Sequence, residues 1–144
     1  MALSEFYEST IIEVRAYFGF DSFDCHPSEI STTLGVEADY FQLKDSLRTL
    51  KNRKTITNHF SSWSIESKSA SKDINIHLRQ LLDRLNEVQN KFEPRFGKPS
   101  FSVVWKGNYL YAGSGPFYEI DVLRGIAKLN AGLYHDIYQI DEDD

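Results

Sequence analysis

Phe101-Ser102-Val103-Val104-Trp105-Lys106-Gly107-Asn108-Tyr109-Leu110-Tyr111 reads as two short strands joined by a two-residue turn. Phe101, Val103 and Trp105 alternate with Ser102, Val104 and Lys106, so the first strand has an apolar face and a mixed one. Gly107-Asn108 supplies residues that tolerate the left-handed backbone of a tight hairpin. A hairpin requires antiparallel pairing. Strands with one polar face also argue against a fully parallel, doubly wound sheet, which is covered on both sides.

The flanking sequence extends this reading. Thr10 to Phe18 alternates, with Ile12, Val14, Ala16 and Phe18 expected on one side and Glu13, Arg15 and Tyr17 on the other. Trp63-Ser64-Ile65-Glu66-Ser67 alternates again before the polar run Lys68-Ser69-Ala70-Ser71-Lys72, and a last strand is expected from about Leu133 to Ile140. Three helices separate these strands. Pro27 to Leu34 forms a short one, because proline's fixed φ suits a first helical position and Gly35 suits the left-handed residue that closes it. Asp73 to Phe92 places Ile74, Leu78, Leu81, Leu82, Leu85, Val88 and Phe92 on one stripe, with Asp73 capping free N–H groups and Pro94 and Gly97 limiting extension. After the loop Gly113-Ser114-Gly115-Pro116, Asp121 is expected to cap a third helix carrying Leu123, Ile126, Ala127 and Leu129, which Gly132 closes. Tyr40 to Phe60 has no clean period; Phe41, Leu43, Leu47 and Leu50 form a partial apolar face among Lys44, Arg48, Lys51, Arg53 and Lys54.

These elements predict an α+β fold over residues 1–144: one domain, with about three helices packed on one face of a mainly antiparallel sheet, in a ferredoxin-like arrangement or a relative of it. The tail Asp141-Glu142-Asp143-Asp144 is expected to be solvated. At 144 residues, 41% hydrophobic and 14% aromatic, the chain can build one core without staples. The lone Cys25 has no internal disulfide partner, and no stretch resembles a secretory leader or approaches the roughly 20 apolar residues of a membrane span. A cytoplasmic location without a membrane partner is expected. Sixteen basic and twenty-one acidic residues give a net charge of −5, which repels nucleic acid and favours a cationic partner.

The chemistry-bearing residues point away from catalysis. Cys25 and His26 are neighbours, and neighbouring side chains diverge, so they read as helix-start residues rather than a nucleophile and base. His26, His59, His77 and His135 share no metal-ligand spacing; His77, beside the apolar stripe, reads as a hydrogen-bonded, partly buried imidazole. Gly113-Ser114-Gly115 lacks the lysine and following hydroxyl of a phosphate loop. No catalytic, cofactor or metal residue is therefore expected. The basic run from Lys44 to Lys54 is read as a solvated face of an acidic domain rather than a nucleic-acid site. The last third combines aromatic and acidic residues, and the partner-binding candidates are Tyr109, Tyr111, Tyr118, Glu119, Asp121, Asp136, Asp141 and Glu142. Aromatic rings supply contact area, and carboxylates complement a cationic surface.

Five pieces in order carry a resemblance: the strand ending at Phe18; the helix with Pro27, Glu29, Ile30, Leu34 and Gly35; Trp63-Ser64-Ile65-Glu66-Ser67; the long leucine-rich helix; and Gly132-Leu133-Tyr134-His135-Asp136-Ile137-Tyr138. Together they resemble a bacterial family known only as domain of unknown function 4279, over most of the chain. The departure is Phe41 to Phe60, which contains no glycine where relatives often place one. The resemblance implies a small bacterial α+β domain, similar by analogy to immunity proteins that accompany secreted toxins. The expected function is non-catalytic: binding a cognate, cationic toxin domain such as a nuclease and occluding its active site or substrate surface. The alternative is a stand-alone domain that binds a small ligand or another cellular protein; an enzyme ranks third, and oligomeric state is left open.

Overall fold

In the computed structural model, which describes residues 11–107 and 115–139, the first element is a long strand, β1 (Ile11–Phe23). It is followed by helix α1 (Pro27–Leu34) and the short strands β2 (Tyr40–Gln42), β3 (Leu47–Thr49) and β4 (Thr55–Thr57). Then come β5 (Ser61–Glu66), helix α2 (Ile74–Asn86), β6 (Pro99–Gly107), helix α3 (Ile120–Lys128) and β7 (Gly132–Gln139). Five strands form one sheet in the order β2-β5-β1-β6-β7, while β3 and β4 pair only with each other. The fold is α+β with a mainly antiparallel sheet, as expected.

Its antiparallel character arises from β1, which pairs antiparallel with both β5 and β6. Strand β6 is flanked on both edges, by β1 from Ile11 to Phe20 and by β7, parallel to it, from Gly132 to Gln139. No edge of β6 is left for a tight hairpin back onto it, and the expected return segment Tyr109–Tyr111 lies outside the described residues. The crossover to β7 instead runs through α3, as parallel pairing requires. The parallel strands β6 and β7 are adjacent rather than split by an intervening strand, so the arrangement is not ferredoxin-like.

All three helices feed one core on one side of the sheet. Val14, Ala16, Phe18 and Phe20 of β1, Trp63 and Ile65 of β5, and Phe101, Val103 and Trp105 of β6 meet Ile30 and Leu34 of α1, Leu78, Leu81 and Leu85 of α2, and Val122 and Ile126 of α3. The pairing of β1 with β6 shifts register between Ile11 and Glu13, so Ile11 is buried and Ile12 is 54% exposed. This corrects the expected inward position of Ile12, because a bulge reverses the alternation from that point.

The local chemistry explains the helix ends. His26 caps α1, accepting from the Ser28 N–H, while Glu29 accepts from the His26 N–H and Gly35 closes the helix with φ 70°. Asp73 caps α2 by accepting from the Asn75 N–H. Helix α2 ends at Asn86, short of the expected Phe92, and the chain continues in 3₁₀ turns at Gln89–Lys91 and Pro94–Phe96. Phe92 and Phe96 still pack on the core, their ring centroids 5.3 and 5.6 Å from that of Phe20. The residue before α3 is Glu119, with Asp121 inside its first turn, and the left-handed residue after it is Asn130 (φ 54°). Gly132 opens β7 instead of closing the helix.

Candidate functional site

Because strand side chains alternate, the face of the sheet away from the helices collects every second residue. From β1 these are Glu13, Arg15, Tyr17, Gly19 and Asp21, paired in turn with Ser102 and Val104 of β6 and Ser62 and Ser64 of β5. Tyr40 of β2 stands opposite Ser64, and Tyr134 and Tyr138 of β7 stand opposite Ser102 and Lys106. Among the described residues no helix covers this face. Tyrosine and serine make up half of its side chains and charged groups most of the rest, with Tyr40, Tyr134 and Tyr138 exposed by 53%, 65% and 49%. The centre is kept low by Gly19, where a Cβ would lie 2.5 Å from the Trp63 carbonyl oxygen.

A polar network holds several of these groups in place. Glu13 accepts from Arg15 at 2.6 Å and from Lys106 at 3.1 Å; the Lys106 hydrogen bond, against an opposing contribution from burial, holds the Glu13 carboxyl below its ordinary range. Lys106 Nζ lies 5.5 Å from the Tyr138 ring centroid, a cation–π distance. The Tyr40 hydroxyl donates to Glu66 at 2.9 Å, which pushes the phenol's pKa up, and the Tyr40 ring meets that of Tyr17 edge-on at 6.1 Å. At one end of the face Asp21, Lys98, Ser100, Asn130 and Tyr134 border an open trough of about 410 Å³. Burial pushes the Asp21 carboxyl up.

Of the sequence-predicted contact residues, the four that are described, Tyr118, Glu119, Asp121 and Asp136, do not share one surface. Tyr109, Tyr111, Asp141 and Glu142 lie outside the described residues. Asp136 is exposed on the uncovered face, opposite Val104. Glu119 and Asp121 lie on the helix side and are tied to Arg79 of α2. The guanidinium donates to Glu119 at 2.5 Å and through two nitrogens to Asp121 at 3.0 Å. These bonds hold the Arg79 pKa up and the Asp121 carboxyl down. Tyr118 is half-buried on the helix side, its ring 5.4 Å from that of His135, and its buried hydroxyl has no partner among the described residues. Burial pushes its phenol up. The described members of the expected acidic and aromatic surface are therefore divided by the thickness of the sheet. Tyr17, Tyr40, Tyr134 and Tyr138 were missed as a group, although the outward positions of the alternating strands carried the signal.

The remaining candidates have local roles. Cys25 is half-buried, and burial pushes its thiol up, away from the reactive thiolate. The His26 ring is engaged at the start of α1. His77 is buried, with Nε2 donating to the Ser71 carbonyl at 2.6 Å and Nδ1 2.5 Å from the Ser67 hydroxyl. Among the described residues no group of three or more His, Cys, Asp or Glu could hold a metal ion. Nor is any helix among them long and apolar enough to cross a membrane.

No curated protein and no solved structure matches the chain. A family model, Domain of unknown function (DUF4279), matches residues 12–140, which takes in all five strands of the sheet, the three helices and the uncovered face, and the chain belongs to that family.

Proposed function

We propose that this chain is a non-catalytic binding protein that engages a protein partner through the uncovered face of its sheet, as an immunity protein does when it occludes a toxin domain. The observation that carries the reading is the tyrosine and serine surface built on rigid strands. Tyrosine supplies large contact area at low entropic cost, and serine supplies adaptable hydrogen bonding. The strand positions of this face hold four carboxylates, Glu13, Asp21, Glu66 and Asp136, against two cations, Arg15 and Lys106. With the net charge of −5, that balance favours a cationic partner such as a nuclease domain. The engaged His26 ring and the raised Cys25 thiol favour binding over nucleophilic chemistry.

The alternative, a small ligand, has the trough at Asp21 and Tyr134 in its favour, since about 410 Å³ falls within the roughly 300–1,000 Å³ of ligand pockets. Its open border suits a rim of a larger interface better than an enclosing pocket. The test is growth protection: where the adjacent gene encodes a toxic domain, cells expressing that domain should survive when this chain is co-expressed. Protection should be lost with Tyr134→Ala/Tyr138→Ala and retained with Cys25→Ser. No protection, together with no binding to that domain at micromolar concentration, would reject the immunity reading.

A further inference from the structure

The segment whose period could not be read, Tyr40 to Phe60, folds mainly into a separate two-stranded ribbon. Strands β3 and β4 pair through Leu47 with Thr57, Arg48 with Ile56 and Thr49 with Thr55. At its base buried Asn58 ties the two arms together, donating its backbone N–H to the Ser46 carbonyl at 2.9 Å and its side-chain amide to the Ser46 hydroxyl at 2.8 Å, and the Lys44 N–H donates to the Ser61 hydroxyl of β5 at 2.9 Å. Beyond the base, every residue from 47 to 57 is exposed except half-buried Ile56. Residues 44–54 carry five cations against Asp45 alone, a net of +4 in a chain of −5, so the rest of the molecule carries −9. Arg53 at the tip holds φ 66°, a left-handed conformation that glycine or asparagine adopts more easily.

Cations are only half of this surface. Leu47 is 71% exposed and Phe41, at the base, 66% exposed, with Leu43 and Phe60 also exposed. Apolar side chains among cations suit a protein interface, where the apolar groups are buried and the charges set orientation. A nucleic-acid backbone would use the cations and leave the leucines in water, and a long polyanion would also meet the repulsion of the body's −9. We propose that the ribbon is a second contact site, opposite in sign to the body, that grips an acidic, apolar segment at the rim of the same protein partner. This rests on the reading of the chain as a protein-binding domain. Contacts of opposite sign at two places fix the partner's orientation, because docking the wrong way round brings like charges together.

The experiment needs no identified partner. The full chain, labelled with ¹⁵N, is titrated at low salt with a synthetic peptide of alternating glutamate and leucine and, separately, with a short DNA duplex. The proposal predicts amide shifts confined to about residues 41–60 with the peptide, saturating below about 1 mM. Lys51→Glu/Arg53→Glu, both exposed, should weaken binding at least tenfold with the rest of the spectrum unchanged. Absence of shifts in the ribbon, shifts elsewhere only, or insensitivity to the double substitution would overturn it. Tighter binding of the duplex than of the peptide would also overturn it, in favour of a nucleic-acid contact. None of these results bears on Tyr134 and Tyr138, so failure of the ribbon leaves the reading of the sheet face to its own test.

Discussion

Gly19 and Tyr118 show at the scale of single residues what burial imposes. Gly19 is in the middle of β1, and the Cβ of an alanine there would sit 2.5 Å from a backbone oxygen that cannot rotate away. Gly19→Ala should cost about 1–3 kcal/mol in urea unfolding, as overpacking does; a loss under roughly 0.5 kcal/mol would mean that β1 and β5 part easily at this point. Tyr118→Phe should behave in the opposite way. It removes a buried hydroxyl with no partner among the described residues, so stability should stay level or rise by up to about 1 kcal/mol. Destabilisation of more than about 1 kcal/mol would reveal a partner for that hydroxyl. Both residues also mark the limit of sequence reading. Tyr118, Glu119 and Asp121 are close in sequence and look like one acidic and aromatic patch, yet Arg79, some forty residues earlier, binds the two acids while the tyrosine turns inward. A pairing at that separation leaves no local trace.

Elements with long periods and clear caps were legible, and those shorter than one period were not. The stripe of α2 and the Pro27 and Gly35 ends of α1 lie where spacing and capping chemistry place them. Strands β2, β3 and β4 have three residues each, too few to display alternation, and their side chains are largely exposed. Leu81 is fully buried in α2, so Leu81→Ala should cost about 2–5 kcal/mol; a surface-like loss would show that the helix does not rest on the sheet. Asn75, on the same helix, looks like a solvent residue in sequence, yet it is buried and joins α2 to the approach of α3. Its amide donates to the Phe117 carbonyl and its oxygen accepts from the Glu119 N–H, both at 2.9 Å. Ion pairs between elements make stability depend on pH. Glu13, Glu29 and Asp121 are held below their ordinary ranges chiefly by hydrogen bonds from Lys106, Arg95 and Arg79. Asp39 is lowered too, burial being outweighed by Lys68 and the Glu66 amide. A depressed carboxyl stabilises the fold above its unfolded pKa, about 3.9 for Asp and 4.3 for Glu, and that contribution is lost as pH falls through the folded value. Asp21, raised by burial, runs the other way, as one group against four. Stability should therefore decline as pH is lowered from about 5 towards 3, and Asp121→Asn should make the decline shallower. A flat profile over that range would contradict the ion-pair account.

At the scale of the molecule, the α+β class followed from alternating strands and separated helices, while the topology did not. The tight turn at Gly107-Asn108 seemed to supply the antiparallel pairing, whereas β1, central in the sheet, supplies it by pairing on both sides. Strand neighbours distant in sequence are set by the helix crossovers and by which face each strand can bury, and a linear reading does not rank those choices. The same geometry moves the candidate interface from the last third of the chain to a face assembled from five strands, with the cationic ribbon inserted in the chain between β2 and β5. The claim that this face binds a protein partner is tested most directly by association and dissociation rates against the product of the adjacent gene, for the native protein and for Tyr134→Ala/Tyr138→Ala. Dissociation should be about thirtyfold faster or more in the variant, the equivalent of roughly 2 kcal/mol at a hot spot, with little change in association. Unchanged rates in a folded variant would contradict the account.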